Sequence, residues 1–138
     1  QDALLDLFTE KTLMQTLENK CPWLLRYFVA AIVLSERRAK LRPAMLEEVR
    51  QLAYLYSDPL CRFVELLYDQ FDFEGAQETL KECYRIAKAD FFLAPHADRF
   101  LEEGTRMIFE TYCQIHHRVD IRCVYSTYSH VCSLALIA

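Results

Sequence analysis

The chain has 138 residues, 53% of them apolar and 26% charged, with a net charge of −4. That describes one soluble globular domain long enough to bury a real core, and its mild acidity argues against a dedicated nucleic-acid binder. Two glycines, Gly75 and Gly104, are too few and too far apart for a dinucleotide fingerprint or a phosphate-binding loop, and their scarcity favours helices over hairpin-rich β folds.

From Asp2 to Lys20, leucines and Phe8 recur at helical spacing, which predicts one or two short helices. Pro22 suits the first turn of a new helix running to about Leu34. That helix is apolar nearly all round and should lie centrally; its charge-free run from Tyr27 to Leu34 is too short to cross a bilayer. Arg37, Arg38, Lys40 and Arg42 follow, near the negative end of this helix, where cations are favoured. Pro43 starts or kinks the next helix, whose stripe is Met45, Leu46, Val49, Leu52, Ala53 and Tyr56.

Ser57-Asp58-Pro59 reads as a helix stop followed by a start, with Asp58 as cap and Pro59 at the first helical position. Leu60, Phe63, Val64, Leu67 and Phe71 make the next stripe. Asp72 caps a partner helix carrying Phe73, Ala76, Leu80, Cys83 and Ala87, and the link is so short that the pair must be an antiparallel hairpin. Phe71, Asp72, Phe73, Gly75 and Ala76 form its closed end, where Gly75 and Ala76 remove bulk so that the backbones can approach. Leu93-Ala94-Pro95-His96 breaks the pattern before a last helix from Ala97 to about His116. Cys123 to Ala138 carries no charge and fits neither helix nor strand period. Sequential helix pairs with short links describe an all-α solenoid of stacked antiparallel pairs, of the TPR kind, without a strict sequence repeat.

Six widely spaced cysteines, with no C-x-x-C and no leader-like start, read as reduced and mostly buried thiols in a cytosolic or nuclear protein. An opening at Gln1 rather than Met reads as a piece of something longer. Cys113-x-x-His116 lacks two further ligands at zinc spacing, so no metal is expected. Glu47-Glu48 and Glu102-Glu103 are adjacent on helices and diverge by about 100°, so neither pair converges on a substrate. No catalytic site and no cofactor follow from these residues. The sharpest charge feature is the cluster Arg37, Arg38, Lys40 and Arg42, four of sixteen basic residues. It is a candidate contact for an acidic partner or RNA phosphates, beside the plainer reading of a solvated helix connection.

Several strings, taken in order, carry a resemblance. Cys21-Pro22-Trp23-Leu24-Leu25-Arg26-Tyr27 resembles the C-P-x-(I/L)-L-R-Y segment of the E-subunit family of eukaryotic translation initiation factor 3. Tyr54-x-Tyr56-x-Asp58-Pro59 and Phe63-Val64-Glu65-x-Leu67-Tyr68 follow, then Phe71-Asp72-Phe73-Glu74-Gly75-Ala76-Gln77 with Leu80, Glu82 and Cys83. Asp90-Phe91-Phe92-Leu93 and Ile108-Phe109-Glu110-Thr111-x-Cys113-x-Ile115-His116 continue in the family's order. The likeness covers about residues 13 to 121, roughly four fifths of the chain. It implies the stacked helices of a PCI domain and a non-catalytic scaffold component in the cytoplasm or nucleus. Such a component docks on other subunits of the factor and, through them, on the small ribosomal subunit, without a membrane or a small-molecule substrate.

Family members continue into a winged helix, which Arg122 to Ala138 does not resemble. The expected division is therefore a helical-repeat part over residues 1–121 and a divergent apolar tail over 122–138. That tail should cover the bare end of the helical body or drive self-association. The same fold would also serve a PCI component of the proteasome lid or the signalosome, and the 37–42 cluster would serve an RNA-binding module.

Overall fold

The computed structural model describes residues 21–116 except 36 and 37, together with positions 6, 10, 15, 16, 19, 20, 122 and 129. The expectations for residues 2–20 and for the 123–138 tail fall almost wholly outside them. Pro22 cannot donate a backbone hydrogen bond, and it opens a 3₁₀ turn, Pro22–Leu24, that feeds α1, Leu25–Val33. Then come α2, Arg38–Leu52; α3, Pro59–Tyr68; and α4, Phe73–Ala89. A second 3₁₀ turn, Ala94–His96, leads into α5, Ala97–Ile115. Every described element is helical, as the spacing of apolar residues requires.

Both aspartate caps form. The Asp58 carboxylate accepts from the Leu60 N–H at 3.4 Å, with Pro59 in the first turn of α3. The Asp72 carboxylate accepts from the Gly75 N–H at 3.1 Å and starts α4. Between α3 and α4 the chain reverses at Phe71, whose φ of 53° is left-handed. A bulky L-residue pays about 1–2 kcal/mol for that conformation. Returning hydrogen bonds offset it, from the Asp72 N–H to the Leu66 carbonyl at 2.9 Å and from Gln70 to Glu65 at 3.1 Å.

α2 begins at Arg38, so of the two places expected for Pro43 the interior one is found, where proline cannot supply the N–H that would bond back to Ala39. The basic residues from position 38 onward therefore sit at the positive end of α2, not at the negative end of α1, and the helix dipole does not favour them there.

α3 packs against α1, α2, α4 and α5 and makes the centre of the described helices. Phe63, Val64, Leu60 and Leu67 are fully buried on it, facing Val29, Ile32 and Val33 of α1, Met45 and Val49 of α2, and Ala76 and Cys83 of α4 among the same core cluster. Full burial of each large side chain stabilises by about 1.5–3 kcal/mol.

The glycine that matters for helix approach is Gly104, not Gly75. A Cβ on Gly75 would meet the carboxylate of Asp72, a side chain of its own cap. A Cβ on Gly104 would strike the Leu80 side chain of the neighbouring α4, with Cδ1 at 2.5 Å and Cδ2 at 3.3 Å. Leu80 and Gly104 are both buried, so there is little room to yield. Gly104→Leu is expected to cost about 1–3 kcal/mol by overpacking. Gly75→Ala should be nearly neutral, because a helix-propensity gain of about 1 kcal/mol offsets a disturbed cap. Urea unfolding of the two variants separates the roles, and equal losses would show that both glycines mark close approaches.

Candidate interaction surfaces

The basic cluster does not converge. Arg37 lies outside the described residues, and Arg38 opens α2. Lys40 is exposed, whereas Arg42, two residues on and thus about 200° round the helix, turns inward. Its guanidinium stacks over the Tyr68 ring of α3, 4.9 Å from the centroid. Lys40 therefore reaches solvent, while Arg42 braces α2 against α3.

The hairpin residues are split in the same way. Ala76 is fully buried between α3 and α4, Asp72 is an exposed cap, and Phe71 is half exposed at the reversal. Phe73 reaches across to α5, where its ring meets Tyr112 edge-on at 5.3 Å. Tyr112 in turn stacks on His116 at 4.4 Å. Cys113 and His116 are both exposed, so Cys113, one of the thiols read as mostly buried, is open to solvent. Cys61 and Cys83 are buried, and burial pushes the Cys61 thiol up to about 12 and Cys83 higher still. Neither thiol is a nucleophile at neutral pH.

An ion-pair node joins elements far apart in the chain. The Arg26 guanidinium on α1 donates to Asp58 Oδ1 from Nε at 3.1 Å and from Nη2 at 2.5 Å, and its Nη1 lies 3.7 Å from Asp90 Oδ2. The Asp58 side chain is almost completely buried. The Asp58 hydrogen bond raises the Arg26 pKa against the opposing pull of burial. Asp90, just after α4, accepts from the Tyr27 hydroxyl at 2.9 Å and from the Phe92 and Leu93 N–H groups at 2.9 and 3.3 Å.

This node rigidifies the α4–α5 connection, which presents Phe91 at 86% and Phe92 at 69% exposure. The Phe92 ring packs edge-on against Tyr27 at 5.9 Å and against Phe91 at 5.3 Å, while Leu93 anchors the turn in the core. Two large apolar side chains held outward on a braced turn have the form of interface anchors. Sequence reasoning left Asp90-Phe91-Phe92-Leu93 without a role. The signal available was an Asp followed by paired aromatics between two helices.

Burial alone would raise the Asp90 pKa, but the hydrogen bonds from Phe92, Tyr27 and Leu93, together with Arg26, bring it below its usual 3.8. A carboxylate with a depressed folded pKa contributes stability above its unfolded value, and that contribution is lost as pH falls through the folded value. Melting temperature followed from about pH 5 to about pH 2.5 should therefore fall more steeply in the native chain than in Asp90→Asn. Parallel curves would show that the Asp90 contacts do not distinguish the folded from the unfolded state.

No family model matches the chain. Among curated proteins it is similar to the E subunit of eukaryotic translation initiation factor 3 from Emericella nidulans, 41% identical over 130 residues that cover 88% of this chain and 29% of the relative. The corresponding E subunits of Aspergillus terreus, at 42%, and of Yarrowia lipolytica, at 41%, match over the same share of this chain. The chain is homologous to the E subunit of initiation factor 3. It spans about three tenths of the length of the E-subunit relatives it matches. The five helices and both aspartate caps lie within the stretch where the motif strings of the E-subunit family were read.

Proposed function

We propose that the chain is a helical scaffold segment of an E-subunit protein of initiation factor 3. In this reading it docks on other subunits of the factor and, through them, on the small ribosomal subunit in the cytoplasm, and it catalyses no reaction. The observation that carries the reading is homology to the E subunit along nearly the whole chain. The physical features agree with it. The stacked helices leave Phe91 and Phe92 outward on a braced turn, and the core thiols are held protonated by burial. No described helix is long and apolar enough to cross a membrane.

Residues 1–121 are taken as the helical-repeat part of a PCI domain, with 122–138 a divergent apolar tail in place of the winged helix. Within the basic cluster, Lys40 stands open to a partner, whereas Arg42 is engaged with Tyr68.

The test is affinity capture from cell extract with the tagged chain, before and after nuclease treatment. Recovery of initiation factor 3 subunits that survives nuclease is expected, and Phe91→Ser/Phe92→Ser should reduce it at least tenfold, about 1.4 kcal/mol or more. Recovery of proteasome-lid or signalosome subunits instead would reassign the scaffold. Capture that disappears with nuclease and falls steeply with salt would indicate an RNA-binding module.

A further inference from the structure

The α4–α5 connection carries two large rings, Phe91 and Phe92, where a tight turn usually has polar side chains. Packing of the turn does not require both. Leu93 supplies its anchor in the core, and among the described aromatic residues Phe91 meets only the ring of Phe92. Hydrogen bonds hold the backbone instead. The Asp90 carboxylate accepts from the Phe92 and Leu93 N–H groups, and the Asp90 carbonyl accepts from the Ala94 N–H at 2.9 Å. The His96 N–H closes the turn onto the Leu93 carbonyl, also at 2.9 Å. The rings therefore stand outward on a stiff support, with little ordering left to do on binding.

Charges around the rings are met within the chain. Arg26 faces Asp90, and Lys88 pairs with Asp98 at 3.1 Å. Farther out, Glu82 stands one turn before Arg85 on α4, and Glu102 one turn after Arg99 on α5. This surface has no cluster of one sign that would recruit RNA or a charged peptide. Area decides against a second copy of the chain. Aromatic side chains cover about 150–250 Å² each, so at these exposures the two rings present on the order of 300 Å². A stable interface takes about 800 Å² from each partner, so rings meeting rings would bury too little. An occupant that encloses them supplies the missing area.

We propose that Phe91 and Phe92 enter an uncharged, apolar groove on a partner protein, and that Tyr27 is the residue that positions them. Tyr27 acts from α1 in two ways. Its ring lies edge-on against Phe92 at 5.9 Å, and its hydroxyl donates to Asp90 at 2.9 Å. The proposal rests on the scaffold reading in taking the partner to be another subunit of initiation factor 3.

The experiment titrates each other subunit of the factor, purified singly, into the chain by calorimetry. One subunit is expected to bind with a negative heat-capacity change, and its affinity should vary less than about threefold between low and high salt. Phe91→Ser/Phe92→Ser should weaken that binding by about tenfold or more. Ile115→Ser, at an exposed apolar position about 27 Å along α5 from Ala97, should leave it unchanged. Tyr27→Phe keeps the ring and loses the bond to Asp90. About a threefold loss of affinity is expected, with amide hydrogen exchange accelerated selectively at Phe92 and Leu93. Equal binding by the double serine variant, or an affinity that falls steeply with salt, would overturn the groove and leave the scaffold reading intact. Native affinity in Tyr27→Phe would remove its positioning role. A dimer seen by sedimentation and dissolved by the same serines would make the occupant a second copy, which also overturns the proposal. If no subunit binds the native chain, the scaffold reading fails and the groove with it.

Discussion

Asp58→Ala is expected to destabilise the fold by about 3–5 kcal/mol, lowering the melting temperature by roughly 10–20 °C. Asp58 has two roles at one buried position. Its carboxylate caps α3 through the Leu60 N–H and holds the Arg26 guanidinium, and its side chain is 3% exposed. Truncation removes a cap, about 1 kcal/mol, and leaves a partly buried guanidinium without its main partner, which is the larger loss. Asp58→Asn keeps the capping oxygen and should recover the smaller part only. Thermal melts followed by circular dichroism measure both. A loss below about 1 kcal/mol for Asp58→Ala would mean that Arg26 finds full compensation at Asp90.

Phe63→Ala is expected to cost about 3–5 kcal/mol by leaving a cavity where the ring packs. Phe63 is wholly buried on α3, the helix that touches α1, α2, α4 and α5. Loss of this ring therefore loosens several interfaces together, and collapse around the void is limited because each neighbour is fixed by another. Phe63→Leu should cost markedly less, since much of the volume remains. Guanidinium unfolding at constant m-value would report the difference. Losses under about 1 kcal/mol for the alanine variant would show that the centre of the stack is loosely packed.

Much of the fold was legible locally. The caps at Asp58 and Asp72, the reversal between α3 and α4 and the break at Leu93–His96 each follow from a few adjacent residues, and the described helices formed where apolar spacing placed them, except that α2 stops at Leu52, short of Ala53 and Tyr56, and Phe71 lies beyond the end of α3 at the reversal. Local signals conflict around Pro43, which reads as a helix start or an interior kink; the interior place is the one found, with α2 beginning five residues earlier, at Arg38. That moves the basic residues from the negative end of one helix to the positive end of the next. Propensity constrains a boundary weakly once packing of Met45 and Val49 against the core outweighs the missing hydrogen bond of one proline.

The candidate surfaces were less legible. Four basic residues adjacent in sequence looked like one patch, but helical geometry separates Lys40 from Arg42, and a ring 26 residues away, Tyr68, captures the latter. The close approach was expected at Gly75, and the Leu80 side chain places it at Gly104 instead. Arg26, Asp58 and Asp90 each read as an ordinary charge or cap, although they meet across separations of 32 and 64 residues. Helix positions and caps depend on hydrogen bonds reaching three or four residues along the chain, so a single sequence carries them openly. Which charge is buried, which glycine is crowded and which aromatic is left outward depend on the angles and depths at which whole helices pack. Those are set by the summed burial of the five helices against one another, and no short stretch of sequence contains that sum.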